Sequence, residues 1–190
     1  ISESVKKIGS GVFSACKALT SVVIPEGVTE IGEIAFSHCY SLTSVVIPES
    51  VTEIGEAAFY YCSNLTGVVI PDNVRRIGNG AFSRCFNIVD ITIPSNVAEI
   101  GASAFEDCVK LSNVKYQAKT CVIKEKTFKG CLSLDTISIP EGVTKIAKEA
   151  FMNCKKLPSI SIPSSLNEIG TGAFKNCAAV PPDTINLLAA

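Results

Sequence analysis

Eight phenylalanines fall at one unvarying spacing of 23 residues: Phe13, Phe36, Phe59, Phe82, Phe105, Phe128, Phe151 and Phe174. Three residues after each stands a cysteine, from Cys16 and Cys39 through Cys62, Cys85, Cys108, Cys131 and Cys154 to Cys177. A fixed period of roughly 20–29 residues means one small structural unit stacked on itself into a solenoid. Such a stack offers a long repetitive surface rather than a closed cleft, so binding is expected before catalysis.

The unit is Leu-x-x-Val-x-Ile-Pro-x-x-Val-x-x-Ile-Gly-x-x-Ala-Phe-x-x-Cys-x-x. In one copy Leu19, Val22, Ile24, Val28, Ile31, Ala35, Phe36 and Cys39 fill its apolar places, and Leu42 to Cys62 repeat them. Leu-x-x-Val-x-Ile is β-branched and half-alternating, which predicts a short strand. Prolines such as Pro25, Pro48 and Pro71 stop that strand, because proline cannot donate to a continuing ladder. A second extended piece, Val-x-x-Ile, ends at Gly32, Gly55, Gly78, Gly101 and Gly170, which reads as a corner needing unusual backbone angles. Ala-Phe-x-x-Cys is too short for more than one turn of helix. Coils about 4.8 Å apart then stack a phenylalanine column and a cysteine column down one core, in a rod or arc on the order of 40 Å long.

With 190 residues, 47% apolar and 18% charged, the chain has ample material for a core and reads as one domain. The repeat occupies residues 1–180 in eight copies, the first truncated, and 181–190 form a degenerate ninth coil or tail that begins with Pro181-Pro182 after Val180. No apolar run approaches the ~20 residues of a membrane-spanning helix. The formal charge is −1 with both signs interspersed, so no basic stripe suggests nucleic acid. The lysine-rich run Lys115 to Lys129 reads as a solvated face. Ile1, Val5 and Ile8 align with Ile24, Val28 and Ile31, so the chain opens in mid-repeat. It is expected to be a piece of something longer, with any export signal outside it.

This pattern resembles the BspA-like, or Treponema-type, leucine-rich repeat, over residues 1 to about 180. The resemblance implies a curved, right-handed, β-rich coil stack of the leucine-rich-repeat kind with few or no long helices. It also implies a place in large secreted or surface-anchored proteins, some of them adhesins for host matrix or plasma proteins. It carries no catalytic residues, no metal and no cofactor.

The eight periodic cysteines share one inward slot, and their spacing is within disulfide reach, but parallel Cβ vectors would strain a ladder of bridges. No Cys-x-x-Cys pair nucleates a zinc site. They read as buried free thiols. Cys121, the ninth, sits outside the column and is expected to be the one exposed thiol. The single histidine, His38, lacks partners for a triad or metal site. Asn64-Leu65-Thr66 is a glycosylation sequon, meaningful only in a secreting eukaryote.

Two surfaces remain as binding candidates. On the first strand the variable residues should face outward: Thr20, Ser21 and Val23, then their equivalents down to Pro158, Ser159 and Ser161. Val23, Val46 and Val69 would form a flat, mildly apolar stripe there. On the loops after phenylalanine, Tyr40, Tyr60, Tyr61 and Phe86 gather with Arg84 and His38, although the repeat requires none of them. Aromatics and arginine are common interface anchors. The copy Leu111 to Cys131 breaks the rule, with Tyr116-Gln117 for Ile-Pro, Thr120 for valine and Lys124 for glycine. Drift in a tolerant array is the expected cause. The function expected is a non-enzymatic, extracellular or cell-surface module that recognises a protein or glycan. A spacer that holds another domain and binds nothing is the alternative.

Overall fold

The computed structural model describes residues 1–158 and 160–177. Ser159, Val180 and the expected ninth coil lie outside the described residues. The chain is a parallel β-solenoid, and no helix occurs among the described residues. Each coil contributes to three ladders of coil-to-coil hydrogen bonds.

The first ladder comes from the Leu-x-x-Val-x-Ile segment. Ser21–Val23 pairs in parallel with Ser44–Val46, and Ser44 bridges onward to Gly67. A second group then joins Asp90–Ile93, Asn113–Tyr116 and Thr136–Ile137. The ladder is interrupted between these groups, next to Gly67. Glycine in a strand offers nothing to pack, and the neighbouring hydroxyl column, Thr66 on Thr43 on Thr20, ends where Val89 follows.

The second ladder comes from the Val-x-x-Ile segment. Lys7–Ile8, Glu30–Ile31, Glu53–Ile54, Arg76–Ile77 and Glu99–Ile100 form five parallel strands in register. Val122–Ile123, Lys145–Ile146 and Glu168–Ile169 form a separate group of three. The interruption falls in the irregular copy, where Lys124 replaces a glycine that packs closely on the preceding coil. A Cβ on Gly32 would lie 2.7 Å from the Ile8 carbonyl oxygen, and one on Gly101 would overlap the Asn79 amide and the Gly78 carbonyl carbon. None of these glycines has positive φ. They are required for close approach of successive coils, which corrects the expectation of unusual backbone angles. Two copies carry a side chain in this place, Lys124 and Ala147, and the Ala147 amide still donates to Ile123 O at 2.8 Å. The amides of Gly32, Gly55, Gly78 and Gly101 each donate to the isoleucine carbonyl one coil back at 2.8 Å; Lys124 makes no such bond to Ile100.

The left-handed backbone lies elsewhere, two residues before and two after each phenylalanine. Ile34 and His38 have φ of 48° and 60°, Ala57 and Tyr61 51° and 59°, and the pattern recurs through Asn153 and Asn176. Alternate residues thereby aim their amides at the next coil: Ile34 donates to Glu56 O at 2.8 Å, Phe36 to Ala58 O at 2.7 Å and His38 to Tyr60 O at 2.8 Å. This third ladder crosses both interruptions unbroken, for example from Phe59 to Ala81 and from Phe105 to Thr127. A β-branched residue is costly in this conformation, and the equivalent place is glycine at Gly11, Gly80 and Gly172. Ile34 is 42% exposed. Ile34→Gly is therefore expected to raise stability by about 1 kcal/mol, read as a higher urea midpoint; a lower midpoint would show that its apolar contacts outweigh the strain.

The core lies between the ladders. Successive phenylalanine rings stack 5.1–5.6 Å apart and within 13° of parallel along all eight copies. Beside them each thiol from Cys39 to Cys177 donates to the phenylalanine carbonyl of the preceding coil, at 3.0–3.3 Å. All nine cysteines are free. Cys39 to Cys154 in the column are buried, Cys177 is partly covered, and Cys16 is exposed along with Cys121. Cys121 is therefore not the sole exposed thiol among the described residues.

The copy Leu111 to Cys131 is compensated rather than simply eroded. Tyr116 fills the buried isoleucine place, and its hydroxyl lies 2.6 Å from Thr120 Oγ1, which stands in the inward valine place. The two replacements satisfy one another, since a buried phenol without a partner would be penalised. With proline absent, Gln117 adds a ladder bond to Ile93 O at 2.9 Å. Thr127, in an alanine place, donates to Lys124 O at 2.8 Å.

Candidate functional site

The aromatic residues singled out from sequence converge. Stacking brings the residue after Cys39 (Tyr40) beside the residues before Cys62 (Tyr60, Tyr61) and those around Cys85 (Arg84, Phe86). Tyr40 and Tyr61 meet edge to face with centroids 5.5 Å apart, and Tyr61 meets Phe86 at 5.3 Å. The Arg84 guanidinium lies over both Tyr60 and Tyr61, 5.9 and 5.8 Å from their centroids. Its Nε is 3.6 Å from an Asp107 carboxylate oxygen, an ion pair to the next coil.

His38 is the residue that sequence reasoning undervalued. Its ring stacks on Tyr61 at 5.7 Å and 10°, and meets Tyr60 and Tyr40 edge-on at 5.2 and 5.7 Å. Ser37 Oγ lies 2.8 Å from His38 Nδ1 and orients the ring. His38, Tyr61 and Arg84 all occupy the left-handed place two residues after phenylalanine. That conformation recurs in every copy, where it aims the amide at the next coil, and in these three copies it also carries the side chain out of the core. The signal in the sequence was the 23-residue spacing itself, which puts His38, Tyr61, Arg84 and Asp107 in one column.

The valine stripe lies on a separate surface. Val23, Val46 and Val69 project from the first ladder, 65%, 55% and 80% exposed, and do not join the aromatic cluster. The rings make a half-exposed platform with one cation. The valines make an open apolar strip. Among the described residues no group of His, Cys, Asp and Glu has the arrangement of a metal site. No described helix is long and apolar enough to cross a membrane.

The repeat geometry and its residues agree with a known profile. The sequence profile of the BspA type leucine rich repeat region matches residues 1–112 and 75–185, in six copies. The chain belongs to this family. Among solved structures, a leucine rich cell surface protein of Faecalibacterium prausnitzii is 32% identical, with a TM-score of 0.61 over 94% of this chain. The chain spans 62% of that protein's length. A Treponema pallidum leucine rich repeat protein is 29% identical, with a TM-score of 0.73 over 98% of this chain and 78% of its own. The pneumococcal vaccine antigen PcpA shares the fold at 17% identity and a TM-score of 0.53. No curated protein sequence matches the chain. Within this BspA-type repeat the phenylalanine, cysteine and glycine columns belong to the common architecture, whereas the ring cluster is particular to three of its coils.

Proposed function

We propose that this BspA-type module is a non-enzymatic, cell-surface recognition unit that binds a protein or glycan partner through the aromatic flank. The observation that carries the reading is the convergence of His38, Tyr40, Tyr60, Tyr61 and Phe86 with Arg84 on a half-exposed platform. None of these side chains is needed to close the core, which the phenylalanine and cysteine columns complete without them. Tyrosine and arginine supply large contact area at low conformational cost, and such residues dominate interface energetics. Membership of the family and the cell-surface description of the F. prausnitzii relative support the location.

The test is binding of the protein to an array of matrix proteins, plasma proteins and glycans, beside a Tyr60→Ala/Tyr61→Ala double variant. The expected result is a saturable ligand whose affinity falls at least about 30-fold, as loss of roughly 2 kcal/mol at a hot spot implies. Saturable binding that the variant leaves unchanged would remove the aromatic flank from the reading. Absence of any ligand, from protein with native circular dichroism, would favour a spacer.

A further inference from the structure

The valine strip is flanked by carboxylates that make no ion pair among the described residues. Two grooves run along it, of about 630 and 420 Å³; Val23, Val46 and Glu26 line the first, Val69, Asp72 and Asp90 the second. Three residues after each valine stands an acid, namely Glu26, Glu49 and Asp72, and Glu3 holds the same place one coil earlier. All four are exposed. Like charges at facing positions of adjacent strands repel.

On the second ladder the stacked charges are paired. Lys7 pairs with Glu30 at 2.6 Å, Arg76 sits between Glu53 and Glu99, and Lys145 pairs with Glu168 at 2.7 Å. Further down the acidic column itself, Glu141 accepts from the Ser164 amide and hydroxyl, both at 3.0 Å. Among the described residues no ion pair and no hydrogen bond reaches the carboxylates of Glu3, Glu26, Glu49 or Asp72. The Lys6 ammonium comes near this column, beside Gly27, and forms no ion pair with it, so an exposed apolar strip flanked by four unpaired carboxylates is complementary to a cationic partner with an aliphatic edge.

We propose that this face docks a basic amphipathic helix of a partner protein, lying along the solenoid axis. The pitch decides between helix and strand. Coils repeat about every 4.8 Å and helix turns about every 5.4 Å, so a helix slips by about 0.6 Å per coil. It keeps an aliphatic side chain near each valine and a lysine or arginine near each acid over four coils. An extended strand repeats same-side residues about every 6.7 Å and loses register after one coil. Helix-in-groove recognition of this kind reads anchors one turn apart. The surface is distinct from the aromatic flank, and the proposal does not rest on that reading.

The probe is a synthetic helical peptide with leucine on one face and lysine beside it, compared with the same peptide carrying glutamate for lysine. Fluorescence anisotropy is expected to show saturable binding of the lysine peptide that weakens as salt is added. Glu26→Gln/Glu49→Gln/Asp72→Asn should weaken it about tenfold or more and remove most of the salt dependence. Val46→Ser/Val69→Ser should weaken it about tenfold while the salt dependence stays. Tyr60→Ala/Tyr61→Ala should leave it unchanged, which separates this surface from the aromatic one. All the substituted side chains on this face are exposed, and circular dichroism checks that each variant is folded. Equal affinity for the glutamate peptide, or affinity that both variant sets leave within twofold, would overturn the proposal.

Discussion

Raising the pH from about 8 to about 11 is expected to unfold this protein cooperatively, and the cysteine column is the reason. Burial pushes the Cys62 and Cys108 thiols up to about 12, from an ordinary 9.0, and pushes Cys85 and Cys131 well above it in the same direction. A thiol that cannot ionise in the fold but ionises freely in the unfolded chain favours unfolding once the pH passes its unfolded value. The stabilisation is fully present below pH 9 or so and is lost as pH rises. Each such thiol contributes a slope of about 1.4 kcal/mol per pH unit. Four together give on the order of 5 kcal/mol per unit, against a typical domain stability of about 5–15 kcal/mol. Tyr116, pushed up to about 12 by its burial, acts in the same sense at higher pH. Urea midpoints measured from pH 7 to 10.5 test this. A midpoint that stays level to pH 10.5 would mean that the folded thiols ionise in place. A Cys108→Val variant should show a shallower decline with pH whatever its starting stability, because one titrating group has gone.

The second large effect concerns the glycines that let coils touch. Gly101→Ala is expected to destabilise the fold by about 3 kcal/mol, because the new methyl meets backbone of the preceding coil rather than a side chain that can turn away. Gly67→Ala is the control. Nothing lies within 4 Å of its added methyl and its φ is not positive, so a small gain of about 0.5 kcal/mol is expected. The protein carries a side chain in this place twice, at Lys124, where the bond to the preceding coil is missing, and at Ala147, which bonds Ile123 O at 2.8 Å above a coil that itself lacks the glycine. At Lys124 the coils stand apart over a groove of about 270 Å³ lined by Ile100, Cys121 and Lys124, spanned by the Lys124–Glu99 ion pair at 2.7 Å. Exposed pairs of this sort are worth about 0–1 kcal/mol, so Lys124→Gly should more than repay their loss by letting Ile100 and residue 124 bond. Amide exchange at residues 98–101 and 121–124 reports it directly. Protection that stays low in Lys124→Gly would show that Lys124 is not what parts the coils.

Much of this molecule was legible in the spacing. The 23-residue period located every stacked phenylalanine ring and every inward thiol, and the prolines marked where the first strand stops. The convergence of Tyr40, Tyr60, Tyr61, Arg84 and Phe86 also followed, because residues 23 apart must be neighbours in a stack. What a single copy cannot convey is what lies above and below it. Gly32 looks like a corner glycine when read along the chain, and its actual constraint is the Ile8 carbonyl one coil away. Thr120 looks like an error in an apolar place until Tyr116, four residues earlier, is seen to need its hydroxyl.

The sequence by itself determined the solenoid, its register and the composition of its core, because a strict repeat leaves each coil one way to bury its apolar side against the next. Only the tertiary structure decided which ladder holds the stack together. Two strand ladders are interrupted, at Gly67 and at Lys124, while the left-handed turns flanking phenylalanine run unbroken past both. Those turns depend on φ values that residues such as Ile34, His38 and Tyr61 do not favour locally, and that only hydrogen bonds to the next coil sustain.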